Sequence, residues 1–201
     1  MNYRGWKVWL LGGLTSVAGC GITAMGGTDD GNGAGGTGSD SLPAQGSVSF
    51  DVSNLKAPGN GAACPVASHS YQFGMPTTTD PGTRLISGQN GVLISCSVKG
   101  SSDFKFSASL LGEASGGDTI AITFTDGVFG ADFSGTATVA VSTPQLAGTF
   151  TSSQPCVLSA LNRQVKNGSL WASFSCPQVA APPSGLCALS GVLVLENCAG
   201  S

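Results

Sequence analysis

Imidazole is nearly missing from this chain: His69 is the single histidine among 201 residues. A serine nucleophile therefore has one candidate base, and a zinc site has one nitrogen ligand to draw on. His69 lies in Ala67-Ser68-His69-Ser70-Tyr71, an alternating stretch that puts it on one strand face with Ala67, Tyr71 and Phe73. That is the setting of a structural histidine. No Cys-x-x-Cys pair, Gly-x-Ser-x-Gly elbow, phosphate loop or dinucleotide fingerprint marks the domain, so no metal and no bound cofactor is expected. Charge is scarce as well. Setting aside Arg4 and Lys7, the chain carries six basic against 11 acidic side chains, a formal charge of −5. Nucleic-acid binding rests largely on neutralising phosphates, and no basic patch exists to do it. Beyond residue 19 there is one tryptophan, Trp171, and one tyrosine, Tyr71. A sugar platform offers several exposed rings, and Trp171 sits in an apolar strand and reads as core. Long apolar runs are missing too. Val8 to Val17 is the best, and ten helical residues rise only ~15 Å, against a hydrocarbon core of ~30 Å.

That short run is nevertheless informative in its context. Arg4 and Lys7 precede it, no acid appears before Asp29, and it closes on Val17-Ala18-Gly19-Cys20. This order is that of an export signal, and its end resembles the lipobox of bacterial lipoproteins. The resemblance implies that residues 1–19 are removed as a signal peptide. Cys20 then takes a diacylglyceryl group on its thiol and a palmitate-type acyl chain on its freed amine. One chain anchors marginally, at about 0.8 kcal/mol per buried CH₂, whereas two or three hold firmly. The resemblance also implies that Gly21, in place of Asp, directs the protein to the outer membrane.

Residues 20–46 change composition. Gly26-Gly27 and then Gly31, Gly33, Gly35, Gly36 and Gly38 are mixed with Thr, Ser, Asn and three aspartates. Such a segment cannot bury enough apolar surface to order itself and reads as a tether spanning roughly 25–30 Å. Asp29-Asp30-Gly31-Asn32-Gly33 invites a calcium-loop reading, but Gly31, Gly33 and Gly35 occupy positions where ligands belong.

Residues 47–201 form one domain by size. Period-2 alternation dominates: Val48, Phe50 and Val52; Phe104, Phe106, Ala108 and Leu110; Ile120, Ile122 and Phe124; Ala137, Val139 and Val141. The residues between them are mainly Ser and Thr. Turn residues punctuate the runs, among them Asp126-Gly127 and Asn167-Gly168, and Gln89-Asn90-Gly91 predicts a tight hairpin. The pattern predicts an all-β fold, an antiparallel β-sandwich of about nine to ten strands. Expected strands are 47–55, 66–73, 83–87, 91–99, 103–111, 119–126, 135–142, 146–151, 169–176 and 187–196. A short helical turn is expected at 160–166.

Six further cysteines, Cys64, Cys96, Cys156, Cys176, Cys187 and Cys198, give an even count in an exported chain and so a disulfide framework. Leu186 to Glu196 reads as one strand about 35 Å long, which separates Cys187 from Cys198. The favoured pairing is Cys64–Cys96, Cys156–Cys198 and Cys176–Cys187. A turn at Ser190-Gly191 would instead give Cys187–Cys198 with Cys156–Cys176.

Paired-carboxylate chemistry has three candidates near in sequence, Asp118, Asp126 and Asp132. Asp118 and Asp126 flank opposite ends of one strand, and both sit in turn contexts that account for an aspartate. Leader, glycine-rich tether and Ser/Thr-rich, cysteine-stapled sheet together resemble the small outer-membrane lipoproteins of myxobacterial-type genomes. Members of that kind carry no assigned activity, so the resemblance supplies no functional residues. The sequence thus points to a non-enzymatic, lipid-anchored envelope module that acts by binding or structural interaction. Its partners are the membrane, through Cys20, and an unidentified envelope or extracellular molecule. The alternatives are a secreted-type hydrolase with carboxylate chemistry and a carbohydrate-binding module.

Overall fold

A computed structural model describes residues 42–54, 63–64, 66–146, 148–181 and 184–200. The expected leader 1–19, Cys20 and the tether as far as residue 41 lie outside the described residues. Within them every regular element is a strand. The chain order is β1 (Gln45–Asn54), β2 (His69–Phe73), β3 (Leu85–Ile86), β4 (Leu93–Gly100), β5 (Phe104–Glu113) and β6 (Thr119–Phe129). It continues through β7 (Ser134–Ser142), β8 (Phe150–Ser152), β9 (Cys156–Lys166), β10 (Ser169–Ala181) and β11 (Ser184–Glu196). The alternation seen in sequence becomes alternation in burial. In β5, Phe106, Ala108 and Leu110 are buried while Lys105, Ser107 and Ser109 face water. Each fully buried Leu, Ile or Phe contributes roughly 1.5–3 kcal/mol.

All strand ladders are antiparallel and form one 11-stranded sheet in the order β2-β1-β11-β10-β8-β7-β6-β5-β4. β3 pairs with β1, and β9 joins β8 in the slot between β7 and β10. The sheet folds over on itself. Phe124 of β6 meets Phe174 of β10 edge-on at 5.2 Å. A Cβ at Gly112 of β5 would stand 2.4 Å from the Phe73 ring of β2. The two halves thus enclose one core that draws on both.

The outer edge of β4 is capped. Val98 N–H donates to the Ala199 carbonyl at 3.1 Å, Ala199 N–H to Cys96 at 3.0 Å, and Gly168 N–H to Val98 at 2.9 Å. Asn167 Oδ1 accepts from Gly100 N–H at 2.8 Å, and Ser87 Oγ from Ile94 N–H at 2.9 Å. A strand edge left open would recruit other chains; here the C-terminal segment and the β9–β10 turn occupy it.

Several expectations are corrected. The strands number eleven among the described residues, and the addition is β9. Its second half was expected as a helical turn at 160–166. Ala160 pairs with Ala172 and Val165 with Leu170, so Leu161 to Gln164 loop out opposite Trp171 alone. Asn162 and Arg163 take the left-handed conformation there, at φ 49° and 55°. This large bulge gives Leu161 and Val165 the four-residue spacing that resembles a helix. Asp126-Gly127 is a bulge inside β6, not a turn. Its glycine is required, because a Cβ would lie 2.2 Å from the Phe106 ring. The Gln89–Gly91 turn forms, but β3 ladders with β1 instead of with β4.

The favoured disulfide pairing is overturned. The bridges are Cys64–Cys187, Cys96–Cys198 and Cys156–Cys176. Cys176 does not face Cys187, because Pro177-Gln178 inserts a bulge and the hairpin runs on to Ala181 and Ser184. Cys176 lies opposite Leu189, and Cys187 opposite Val179. Cys187 instead meets Cys64 where residues 63 and 186 form a parallel bridge. Gly185 permits that approach, since a Cβ would stand 1.9 Å from the Ala63 carbonyl oxygen. The rival pairing was right about Cys156–Cys176 and wrong about Cys187–Cys198.

Candidate functional site

His69 lies at the start of β2 and is exposed, its ring 4.5 Å from that of buried Tyr71. Ala67 precedes the strand and is exposed, so the expected four-residue face is real only for Tyr71 and Phe73. Tyr71 is the centre of a polar chain. Thr143 Oγ1 donates to its hydroxyl at 3.0 Å, the hydroxyl donates to Gln145 Oε1 at 2.8 Å, and Gln145 Nε2 donates to Asp118 Oδ2 at 2.7 Å. Burial raises the Tyr71 pKa, the Thr143 hydrogen bond opposes that, and the charge of Asp118 adds to it. The phenol is therefore held neutral.

The three candidate carboxylates are not brought together. Asp118 is fixed by Gln145 in the β5–β6 turn, and Asp126 lies in the β6 bulge. They are eight residues apart along one strand, roughly 25 Å at the usual rise. Glycosidase-type pairs stand within about 5–9.5 Å. Asp132 caps the β6–β7 turn, accepting from Ser134 Oγ at 2.6 Å and Ser134 N–H at 3.2 Å. Those hydrogen bonds lower its pKa. A carboxylate that sequence reasoning passed over, Asp103, shares an open groove with Asp126, Lys99 and Lys105 on the outer face of β4–β6.

The most built feature outside the core centres on Trp171. It is buried, as expected, at 6% exposure, but in a separate cluster with Val192, Val194 and Leu161 on the opposite face of the sheet from the main core. The segment 74–84 straps this face. Trp171 Nε1 donates to the Thr77 carbonyl at 3.1 Å. The strap folds back through Met75 N–H to the Thr83 carbonyl at 3.0 Å. At its end Arg84 Nε meets Glu196 Oε2 at 2.6 Å. Gly74 makes the close approach possible, since a Cβ there would lie 2.6 Å from that of Ser47.

Between the strap and the β9 bulge lies a half-open cavity of about 330 Å³. Trp171 and Val194 line its apolar part, and Pro81 of the strap adds to it. Asn162 and Gln164 of the bulge, with Glu196, supply the polar part. Arg163, between the two amides, reaches away to sit 5.6 Å from the centre of the Phe133 ring. Sequence reasoning missed this site because it read the bulge as a helical turn and Trp171 as main core. Among the described residues no group of three or more His, Cys, Asp and Glu is placed to hold a metal ion. No described helix is long and apolar enough to cross a membrane. Comparison with protein-family models, with curated proteins and with solved structures found no match in any of the three.

Proposed function

We propose that this chain is a lipid-anchored module of the bacterial cell envelope, tethered through Cys20 to the outer membrane, which acts by binding and not by catalysis. The observation that carries the proposal is the joining of all six domain cysteines in three disulfides. Such bridges persist in oxidising compartments, the same destination that the Val17-Ala18-Gly19-Cys20 leader specifies. Two of them span sequence separations of 123 and 102 residues, so they secure the whole domain and not a local hairpin.

The binding half of the proposal rests on how the polar groups are used. Asp118 is engaged by Gln145 and Asp132 by Ser134, both as structural acceptors. The hydrolase reading draws on one observation, the groove holding Asp103 and Asp126. Both of these side chains are exposed in an open groove, whereas catalytic groups work where water is excluded. Lys99 and Lys105 face each other across β4 and β5. Like charges directly opposed are unfavourable, and Asp103 and Asp126 line the same groove as this lysine pair.

Cell fractionation tests the anchor. The wild-type chain is expected with the membranes, and Cys20→Ser in the soluble exported fraction. Equal membrane recovery of the two would overturn the proposal.

A further inference from the structure

We infer that the cavity between the strap and the β9 bulge is a binding site for a small neutral saccharide. The inference rests on reading the chain as a binding module, and it names the ligand class. The cavity, about 330 Å³, falls at the lower end of the range for small-molecule pockets. Its chemistry is mixed in a specific way. Trp171, Val194 and Pro81 supply an apolar wall, which suits the C–H face of a sugar ring. Trp171 is only 6% exposed, so it contributes shape to the wall and not an open stacking platform. Asn162 and Gln164 each carry a donor and an acceptor, the combination that vicinal hydroxyls satisfy.

Charge narrows the class. Glu196 is the acidic group of the cavity lining and Arg84 already neutralises it at 2.6 Å. A phosphate or carboxylate ligand finds no unpaired cation in the lining, and a cationic ligand finds no unpaired anion. A neutral polyhydroxylated molecule matches what remains.

The backbone supplies an independent argument. Two consecutive non-glycine residues, Asn162 and Arg163, hold positive φ in the middle of a strand. Such conformations are costly and concentrate where function requires them, and bulges re-aim side chains beside binding sites. This bulge sends Arg163 out to Phe133 and leaves Asn162 and Gln164 on the cavity.

The test uses the anchored protein extracted in detergent, where Trp171 is the sole tryptophan once residues 1–19 are removed, and Trp6→Phe with Trp9→Phe keeps it so in any uncleaved chain. Its emission is followed against glucose, galactose, N-acetylglucosamine and the disaccharides cellobiose, lactose and chitobiose. Co-sedimentation with insoluble cellulose and chitin separates a site for free sugars from one for a polymer of the same units. A saturable emission change, or sedimentation with a polymer, supports the site. Adding Asn162→Asp and Gln164→Leu should weaken that binding at least tenfold. Aspartate tolerates the left-handed conformation, and an unchanged thermal midpoint shows that the fold persists. Two results would overturn the inference: none of these saccharides binds, or the double substitution leaves binding intact. Either leaves the Cys20 fractionation result untouched, so the anchor and the ligand fail separately.

Discussion

Ser47 is fully buried under the strap, and its hydroxyl has no hydrogen-bond partner among the described residues. It belongs to the outward side of β1, where alternation predicts a solvated hydroxyl. The strap removes the water without replacing it, which costs about 1–3 kcal/mol. Ser47→Ala should therefore stabilise the domain by about 1 kcal/mol, read as a raised midpoint in denaturant unfolding; a lowered midpoint contradicts this account. Tyr71 shows the opposite case, a buried hydroxyl with both partners in place. Tyr71→Phe strands the buried Thr143 Oγ1, while the exposed Gln145 turns to water, and should cost about 1–3 kcal/mol. It should also alter the alkaline limb. The folded pKa is raised above the ordinary value of 10.0, so the unfolded phenol ionises first. The stability due to Tyr71 is complete below that value and is lost as pH rises through the folded pKa. Stability of the wild type should fall faster than that of Tyr71→Phe as pH rises above about 10. Parallel pH curves for the two proteins refute the assignment.

Legibility differs from element to element. The runs around Phe50, Leu110, Ile122 and Val139 were readable because each has one face in the core and the other largely in water, with Ser47 under the strap as the exception, so period 2 holds along most of each run. Where a strand leaves that regime the signal fails. β9 carries four looped-out residues, and Leu161 is drawn to the Trp171 cluster on the outer face while Leu158 stays in the core. A single-period reading cannot represent a strand that serves both faces. Asp126-Gly127 failed for a related reason. Asp-Gly favours a turn and a bulge through the same left-handed conformation, which Asp126 takes here at φ 52°, and the pairing of β6 with β5 and β7 on both sides makes it a bulge. Trp171 was placed correctly as buried and on the wrong side, because burial on the outer face depends on a strap that is distant in sequence. The candidate site was illegible for the same reason: Pro81, Asn162 and Glu196 meet only through long-range pairing.

At the scale of the molecule, the disulfides act where the hydrogen-bonded sheet ends. Cys96–Cys198 fastens the C-terminal segment to β4, the strand that closes the ladder order on one side. Cys64–Cys187 fastens the segment after β1 to β11. Cys156–Cys176 differs, joining strands already paired in one ladder. In the chain-entropy account a bridge closing about 100 residues is worth about 4–5 kcal/mol, and one closing about 20 is worth about 3. Replacing Cys96 and Cys198 together by serine should therefore cost more than the same change at Cys156 and Cys176. The structural consequence should also be local to one edge. With the C-terminal segment released, Val98 N–H loses the Ala199 carbonyl, and Cys96 loses the amide of Ala199. Hydrogen exchange at Val98 should accelerate sharply while amides between β5 and β6 stay protected. An exposed edge also pairs with other copies, so the double variant should sediment as larger species with rising concentration. If Val98 remains protected and the variant stays monodisperse, the strand edge is secured by something other than the bridge and the tail it holds.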